Sequence, residues 1–462
     1  MTPPISRFRP ALAVLVALVA CGPSPAQDLP AARPVTLDAA RPAQAGQPKN
    51  VVLLIADGFG PASATLGRAA KGAPLALDSV LVGSAETSAT DSRVTDSAAG
   101  ATAYSCGIKT YNGAIAVDAD GDPCRTLLEA AEARGMATGL VATSRITHAT
   151  PASFAAHVAR RSEESEIAAQ MAASGVDLLF GGGRAFFTAA PLGDAGLGNA
   201  NPLRSPADAW GGAGGTLAID RAGYDSIDRL PAAALLADSH LAYEVDRDET
   251  DQPALADMAT KALDLLAASP DGQERGFFLL VEGSRIDHAA HANDPAAHVG
   301  DILAYDRAVA DVLAWAARDG NTLVVSTADH ETGGLTLGRD GVYVWDPAPL
   351  LAATASLERM GERVAAGEDA AAVLEEGVGA PLPEGAAEAA RGAARAEDVA
   401  AFAALVTALE SEPAGVAWTT SGHTAVDVNL YAWGPGAGRF RGNMGNDAAG
   451  RALFEALGLS RD

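Results

Sequence analysis

Short apolar runs recur along the chain, separated by Ala- and Leu-rich stretches of helical length. The clearest are Val51-Val52-Leu53-Leu54-Ile55, Gly139-Leu140-Val141-Ala142-Thr143, Phe277-Phe278-Leu279-Leu280-Val281 and Thr322-Leu323-Val324-Val325-Ser326. Strand-like runs alternating with helical segments predict an α/β fold, a three-layer sandwich with a central, mostly parallel sheet flanked by helices. The stretch from about Asp346 to Gly415 departs from this rhythm. Its Ala, Glu and Leu content, with a Gly/Pro-containing break, predicts a helical insertion that serves as a lid or an oligomer contact.

All four runs end in polar chemistry. The first is followed by Asp57, the second by His148 and Thr150, the third by Glu282 and Asp287, and the fourth by Asp329 and His330. Ligands of open parallel sheets collect at the carboxyl ends of the strands, so these groups are expected to converge on one crevice. Asp and His are zinc ligands, whereas hard carboxylate and hydroxyl oxygens suit magnesium. Asp287 and His291 are four residues apart, which places both on one face of a helical turn. His423 lies in the glycine-flanked "SGHTAVD", ahead of an apparent strand from Val426 to Ala432. Of eight histidines, His148, His288, His291, His330 and His423 fall in such stretches, while His157, His240 and His298 are read as ordinary satisfied residues.

Composition sets the surroundings. The 462 residues are 48% hydrophobic and 20% charged, enough for a large core, and the net charge of −25 gives no nucleic-acid-binding surface and no attraction to an anionic membrane. Arg7 and Arg9 precede the apolar stretch from Ala11 to Ala20, too short to span a bilayer and of the form of a secretory signal. Leu18-Val19-Ala20-Cys21 resembles a bacterial lipobox, with Cys21 as the lipidation site; Ser24-Pro25-Ala26 is the alternative, an ordinary cleavage site. The expected organisation is a lipoprotein-type signal at 1–21, a Pro/Ala/Gln-rich flexible tether at 22–49 and a catalytic domain at 50–462 carrying the insertion at about 346–415. Such a protein is exported, either periplasmic or anchored to the outer membrane by lipid. Cys106 and Cys124 then remain for a disulfide or for two buried thiols.

One motif poses a chemical question. "VTDSAAGATAYSCG" sets Ser97 after Asp96 and ahead of a run of small side chains, with no histidine or lysine within ten residues to act as base. Asp96 and Ser97 open a predicted helix whose free backbone N–H groups favour an anion. A cation beside Ser97, supplied from elsewhere in the fold, would replace the missing base.

Together, "IADGFG", "VTDSAAGATAYSCGIKTYNGAIAVD", "THATPASFAAHVARR", "VEGSRIDHAAH", "TADHETGG" and "SGHTAVDV" resemble the alkaline phosphatases, over roughly residues 50–345 and 415–445. The resemblance implies a phosphate monoester hydrolase of broad specificity, acting on small phosphate monoesters through a phosphoserine at Ser97. It implies two Zn²⁺ and one Mg²⁺ per site: one zinc on Asp287, His291 and His423, the other on Asp57, Asp329 and His330, and magnesium on Asp57, Thr150 and Glu282. The phosphate-binding arginine falls at Arg161, with Arg160 as its rival, and Asp96 is placed to hold it. His148 and His288, near the third metal or phosphate, match the animal and some marine bacterial enzymes, as does a bridged Cys106–Cys124 pair. A homodimer is implied as well. Two other functions compete: a phosphodiesterase or sulfatase on the same scaffold, and a non-catalytic lipoprotein that sequesters phosphate or zinc.

Overall fold

The structure is a computed structural model in which residues 46–187 and 215–461 are described. The signal segment, Cys21 and all of the tether up to residue 45 lie outside them. The strands are β1 (Asn50–Ala56), β2 (Leu81–Glu86), β3 (Ala137–Arg145), β4 (Leu178–Gly182), β5 (Thr216–Ala218), β6 (Ala232–Leu235), β7 (Phe277–Gly283), β8 (Thr322–Thr327), β9 (Glu331–Thr332), β10 (Thr336–Leu337), β11 (Val416–Ala417), β12 (His423–Thr424), β13 (Val428–Trp433) and β14 (Gly442–Gly445). Ten form one sheet in the order β14-β2-β13-β8-β1-β7-β3-β4-β6-β5. Only β13 in it runs against its neighbours.

The apolar runs are strands because both faces of the sheet are covered. Every residue of β1 and β7 is buried, and each such Val, Leu, Ile or Phe side chain contributes about 1.5–3 kcal/mol. One helical layer gathers the helices Ser97–Cys106, Leu127–Ala133, Ala149–Ala155 and Asn446–Leu457; the other gathers Pro61–Lys71, Leu255–Ala268 and Pro295–Asp319. Register does the rest. Ile55 lies opposite Glu282 and Leu54 opposite Ser326, so the ends of β1, β7 and β8 are level and the residues just beyond them share one rim.

The segment 338–415 leaves and returns through the antiparallel β10–β11 pair, in which Thr336 faces Ala417. It holds four helices, Leu357–Ala365, Ala370–Val378, Ala386–Arg395 and Val399–Ala414. They enclose a separate small core that includes Met360, Val373, Leu374, Ala390, Phe402 and Val406. Cys106 and Cys124 are joined by a disulfide. Among the described residues no helix is long and apolar enough to cross a membrane.

Candidate active site

Asp57, Asp329 and His330 are completely buried where β1 and β8 end, and their ligand atoms lie within 4.8 Å of one another. Asp329 is oriented by the backbone: its Oδ1 accepts from the N–H groups of Gly58 (3.2 Å) and His330 (3.0 Å). Its Oδ2 and both oxygens of Asp57 are left without a hydrogen-bond donor. Gly58 holds a positive φ of 72°, and a Cβ there would sit 2.8 Å from the Asp287 backbone, so only glycine lets the chain turn here. The Thr332 hydroxyl donates to Asp287 Oδ1 (2.6 Å), so its oxygen is free to accept from His330 Nδ1 (3.2 Å). That fixes the tautomer. The lone pair of His330 sits on Nε2, 3.3 Å from Asp329 and 3.7 Å from Asp57.

The same device recurs in the second cluster, Asp287, His291 and His423. His291 Nδ1 donates to the Ser421 carbonyl (2.6 Å) and His423 Nδ1 to that of Thr95 (2.9 Å). Both Nε2 lone pairs therefore point inward, 2.9 Å apart and next to Asp287. Two acceptors so close need a cation or a shared proton between them. His423 is delivered by the β9–β12 pair, in which it faces Thr332.

Ser97 begins a helix buried at all ten positions, packed so closely that a Cβ on Gly100 would come within 3.0 Å of Asp329. Its Oγ lies 3.2 Å from His330 Nε2. The side chain that faces the serine thus comes from just beyond the end of β8, 233 positions along the chain. Asp96 has three tasks. It caps the helix through Ala99 N (3.0 Å), accepts from Gly113 N (3.1 Å), and pairs with Arg161 at 3.1 Å. Burial alone would raise its pKa, but Arg161 and the two amides outweigh that and hold it below the usual carboxylate range. Arg160 is exposed, so of the two arginines only Arg161 reaches the site.

A third cluster joins Asp57, His148 and Glu282, with Thr150 Oγ1 and Glu282 Oε1 buried and unpartnered. Burial is the main cause that pushes Glu282 up to about 7 and Asp329 up to about 6. Burial, then Asp329, Asp287 and Glu282, raises Asp57 well above its ordinary value. Such a set resists ionisation until a cation arrives. His148 Nε2 faces Arg161 (3.0 Å), and the rings of His288 and His240 stand edge-on at 5.3 and 5.6 Å from that of His148.

A family model for alkaline phosphatase matches residues 48–459. The chain belongs to the alkaline phosphatase family. It is 39% identical over 440 residues to an alkaline phosphatase of Schizosaccharomyces pombe, covering 90% of this chain and 82% of that one. It is 37% identical over 427 residues to alkaline phosphatase 3 of Bacillus subtilis, covering 88% and 89%. The crystal structure of a cold-active alkaline phosphatase from Shewanella superposes with a TM-score of 0.80 at 33% identity, over 88% of this chain and 99% of that one.

Among the described residues the candidate metal ligands gather at the one rim, together with Ser97, Asp96, Arg161 and His288, whereas Arg160 and the Cys106–Cys124 pair lie away from it. His157 and His298 are satisfied as expected, the first by Glu129 and Ala116, the second by Ser63 and Ile286. His240 is different. It was expected to be an ordinary residue, yet its ring lies 4.4 Å from that of His288, and both of its nitrogens face N–H groups of Arg145. It stands five residues after β6, a short run whose three alanines carry little strand signal, and it belongs to no motif. Thr332, which orients two ligands, was also missed, although it stands two residues after His330 inside "TADHETGG".

Proposed function

We propose that this chain hydrolyses phosphate monoesters of broad structure through a phosphoserine at Ser97, with two Zn²⁺ and one Mg²⁺ in the three clusters. The observation that carries this is the convergence of three tautomer-fixed Nε2 lone pairs, on His291, His330 and His423, with the nearest, on His330, 3.2 Å from Ser97 Oγ. The residues fit the metals: nitrogen and carboxylate donors in the first two clusters suit zinc, and the oxygen-rich third, with Thr150, suits magnesium. Bound there, the cations would supply the Lewis acidity that lowers the pKa of a nearby hydroxyl or water.

The chain's own groups define the steps. Ser97 Oγ attacks phosphorus, the ester P–O bond breaks and the alcohol leaves; water then cleaves the Oγ–P bond, returning serine and inorganic phosphate. The Arg161 fork, held by Asp96, binds two non-bridging oxygens. The free amides that open the Ser97 helix face the same charge. Four buried carboxylates, Asp57, Glu282, Asp287 and Asp329, would balance six positive charges incompletely, so the pocket is positive although the protein is acidic. Recognition falls on the phosphoryl group, which leaves the alcohol free to vary. The leader sequence supports an exported, lipid-anchored or periplasmic enzyme.

Ser97→Ala tests the scheme. It should reduce kcat on nitrophenyl phosphate by about a thousandfold or more and abolish labelling of the protein by radioactive phosphate at unchanged zinc content. Retained labelling, or faster turnover of the nitrophenyl diester or sulfate by the wild type, would overturn it.

A further inference from the structure

The insertion sits on the catalytic domain by the N-terminus of its first helix, Leu357–Ala365. The buried Asp246 accepts from Ser356 N (2.8 Å) and Ser356 Oγ (2.6 Å). Asp294 accepts from Leu357 N (2.7 Å) while capping the helix Pro295–Asp319 through Ala297 N (2.9 Å). Two carboxylates at the positive end of a helix satisfy its orphan amides and fix its direction. The next residue, Glu358, is thereby aimed at Arg285, and the pair meets at 2.8 Å.

Arg285 carries the contact inward. Its side chain is only 3% exposed, its guanidinium lies 3.6 Å from the centre of the Tyr243 ring, and its other terminal nitrogen is 3.1 Å from His288 Nδ1. A guanidinium has donors and no acceptor, so His288 Nδ1 must accept and the ring proton resides on Nε2. The His288 ring packs edge-on against His148, a member of the third ligand cluster. Glu358, half exposed in the insertion, is thus linked to that cluster through two side chains.

We propose that Glu358 is a positioning residue through which the insertion sets the metal affinity of the third cluster: it holds Arg285 on His288, and so holds His288 against His148. This rests on the third cluster binding a metal, as argued above. Removing the outer partner of a metal ligand typically costs about 10- to 100-fold in affinity, and Glu358 acts two residues further out than His288, so a loss of about 3- to 10-fold is expected.

The test is Glu358→Gln in the full, zinc-loaded protein, with Mg²⁺ content measured by mass spectrometry after equilibration across a series of Mg²⁺ concentrations. The half-saturating Mg²⁺ concentration should rise by that factor while zinc content and thermal midpoint hold. Glu362→Gln, on the same helix but paired only with Arg359 at the surface, should leave all three unchanged. Arg285→Lys, which cannot grip Glu358 and His288 together, should reproduce the Glu358→Gln shift. An unshifted Glu358→Gln, or an equal shift in Glu362→Gln, overturns the proposal alone. A wild type that takes up no third metal overturns the metal reading of that cluster and this proposal with it.

Discussion

The carboxyl rim of the sheet and the helical insertion solve opposite problems. At the rim, Asp57, Glu282, Asp329 and His330 are fully buried, and several of their atoms have no partner. In the insertion, most charged groups stay outside and pair with one another, as Arg363 does with Glu368 and Glu376, over a core of Val373, Leu374 and Val406; the exception is Glu410, buried beside Asp294 where the insertion meets the rest of the fold. Apart from Glu410, the insertion follows the ordinary rule of apolar inside and charge outside. The rim violates that rule, and burying unpartnered carboxylates opposes folding unless something binds them. Where a chain keeps such an arrangement, it is kept for what it binds.

The contrast breaks most visibly when the bound charge is taken away. Dialysis against a chelator should remove zinc and lower kcat/KM by about a thousandfold or more. It should also lower the thermal midpoint of the catalytic domain, because a ligand at 100 times its Kd adds about 2.7 kcal/mol. Asp57→Asn should mimic the loss of activity in metal-replete buffer, since Asp57 belongs to two of the three clusters. Activity assays paired with metal analysis check both. A chelated protein that kept its midpoint would show that the rim is stable without its ions.

The two regions were also unequally legible. The strands could be read because β1, β3, β7 and β8 are covered on both faces and therefore continuous in apolar residues. Asp57, Asp329 and His330 could be read because a polar group directly after a buried strand has one place to go. The partner of Ser97 could not be read locally, because His330 stands 233 positions away and the packing of the Ser97 helix on the end of β8, through Gly100 against Asp329 and Tyr104 on Ala328, brings it near. His240 was unreadable for a related reason: Arg145, at the end of a different strand, puts it in place. In the insertion, Ala and Leu spacing showed helices, but their seating depends on Asp246 meeting Ser356 across 110 positions. Short-range pattern reports what a segment is; only the assembled fold reports what it touches.

A smaller effect separates the regions from the other side. Leu374→Ala in the insertion's core should cost about 2–4 kcal/mol locally. The core there is small and its own, so hydrogen exchange should quicken across the helices Leu357–Ala365 to Val399–Ala414. Protection of β1 and β7, and zinc content, should not change. Faster exchange in those strands would mean that the two regions unfold as one.

The smallest expected effect is at Arg391. Its guanidinium makes a two-pronged contact with Asp369, Nε to Oδ2 at 2.8 Å and Nη2 to Oδ1 at 3.1 Å, which is better geometry than the single 3.1 Å contact of Arg161 with Asp96. Distance alone would rank Arg391 first. Yet both partners are solvent-exposed, so water and salt screen the attraction and the fixed rotamers cost entropy. Asp369 moreover keeps its second task without Arg391, since it caps the helix Ala370–Val378 through Ala372 N. Arg391→Ala should therefore leave the thermal midpoint within about 1 °C of the wild type and leave activity intact. Arg161→Ala, losing the longer contact, should lower phosphate affinity severely if Arg161 holds the phosphoryl group as proposed, since Asp96 keeps its guanidinium at the rim beside His148. Were Arg391→Ala to lower the midpoint as much as Leu374→Ala, the insertion would depend on its polar surface, and the opposition between a self-sufficient insertion and an ion-dependent rim would fail.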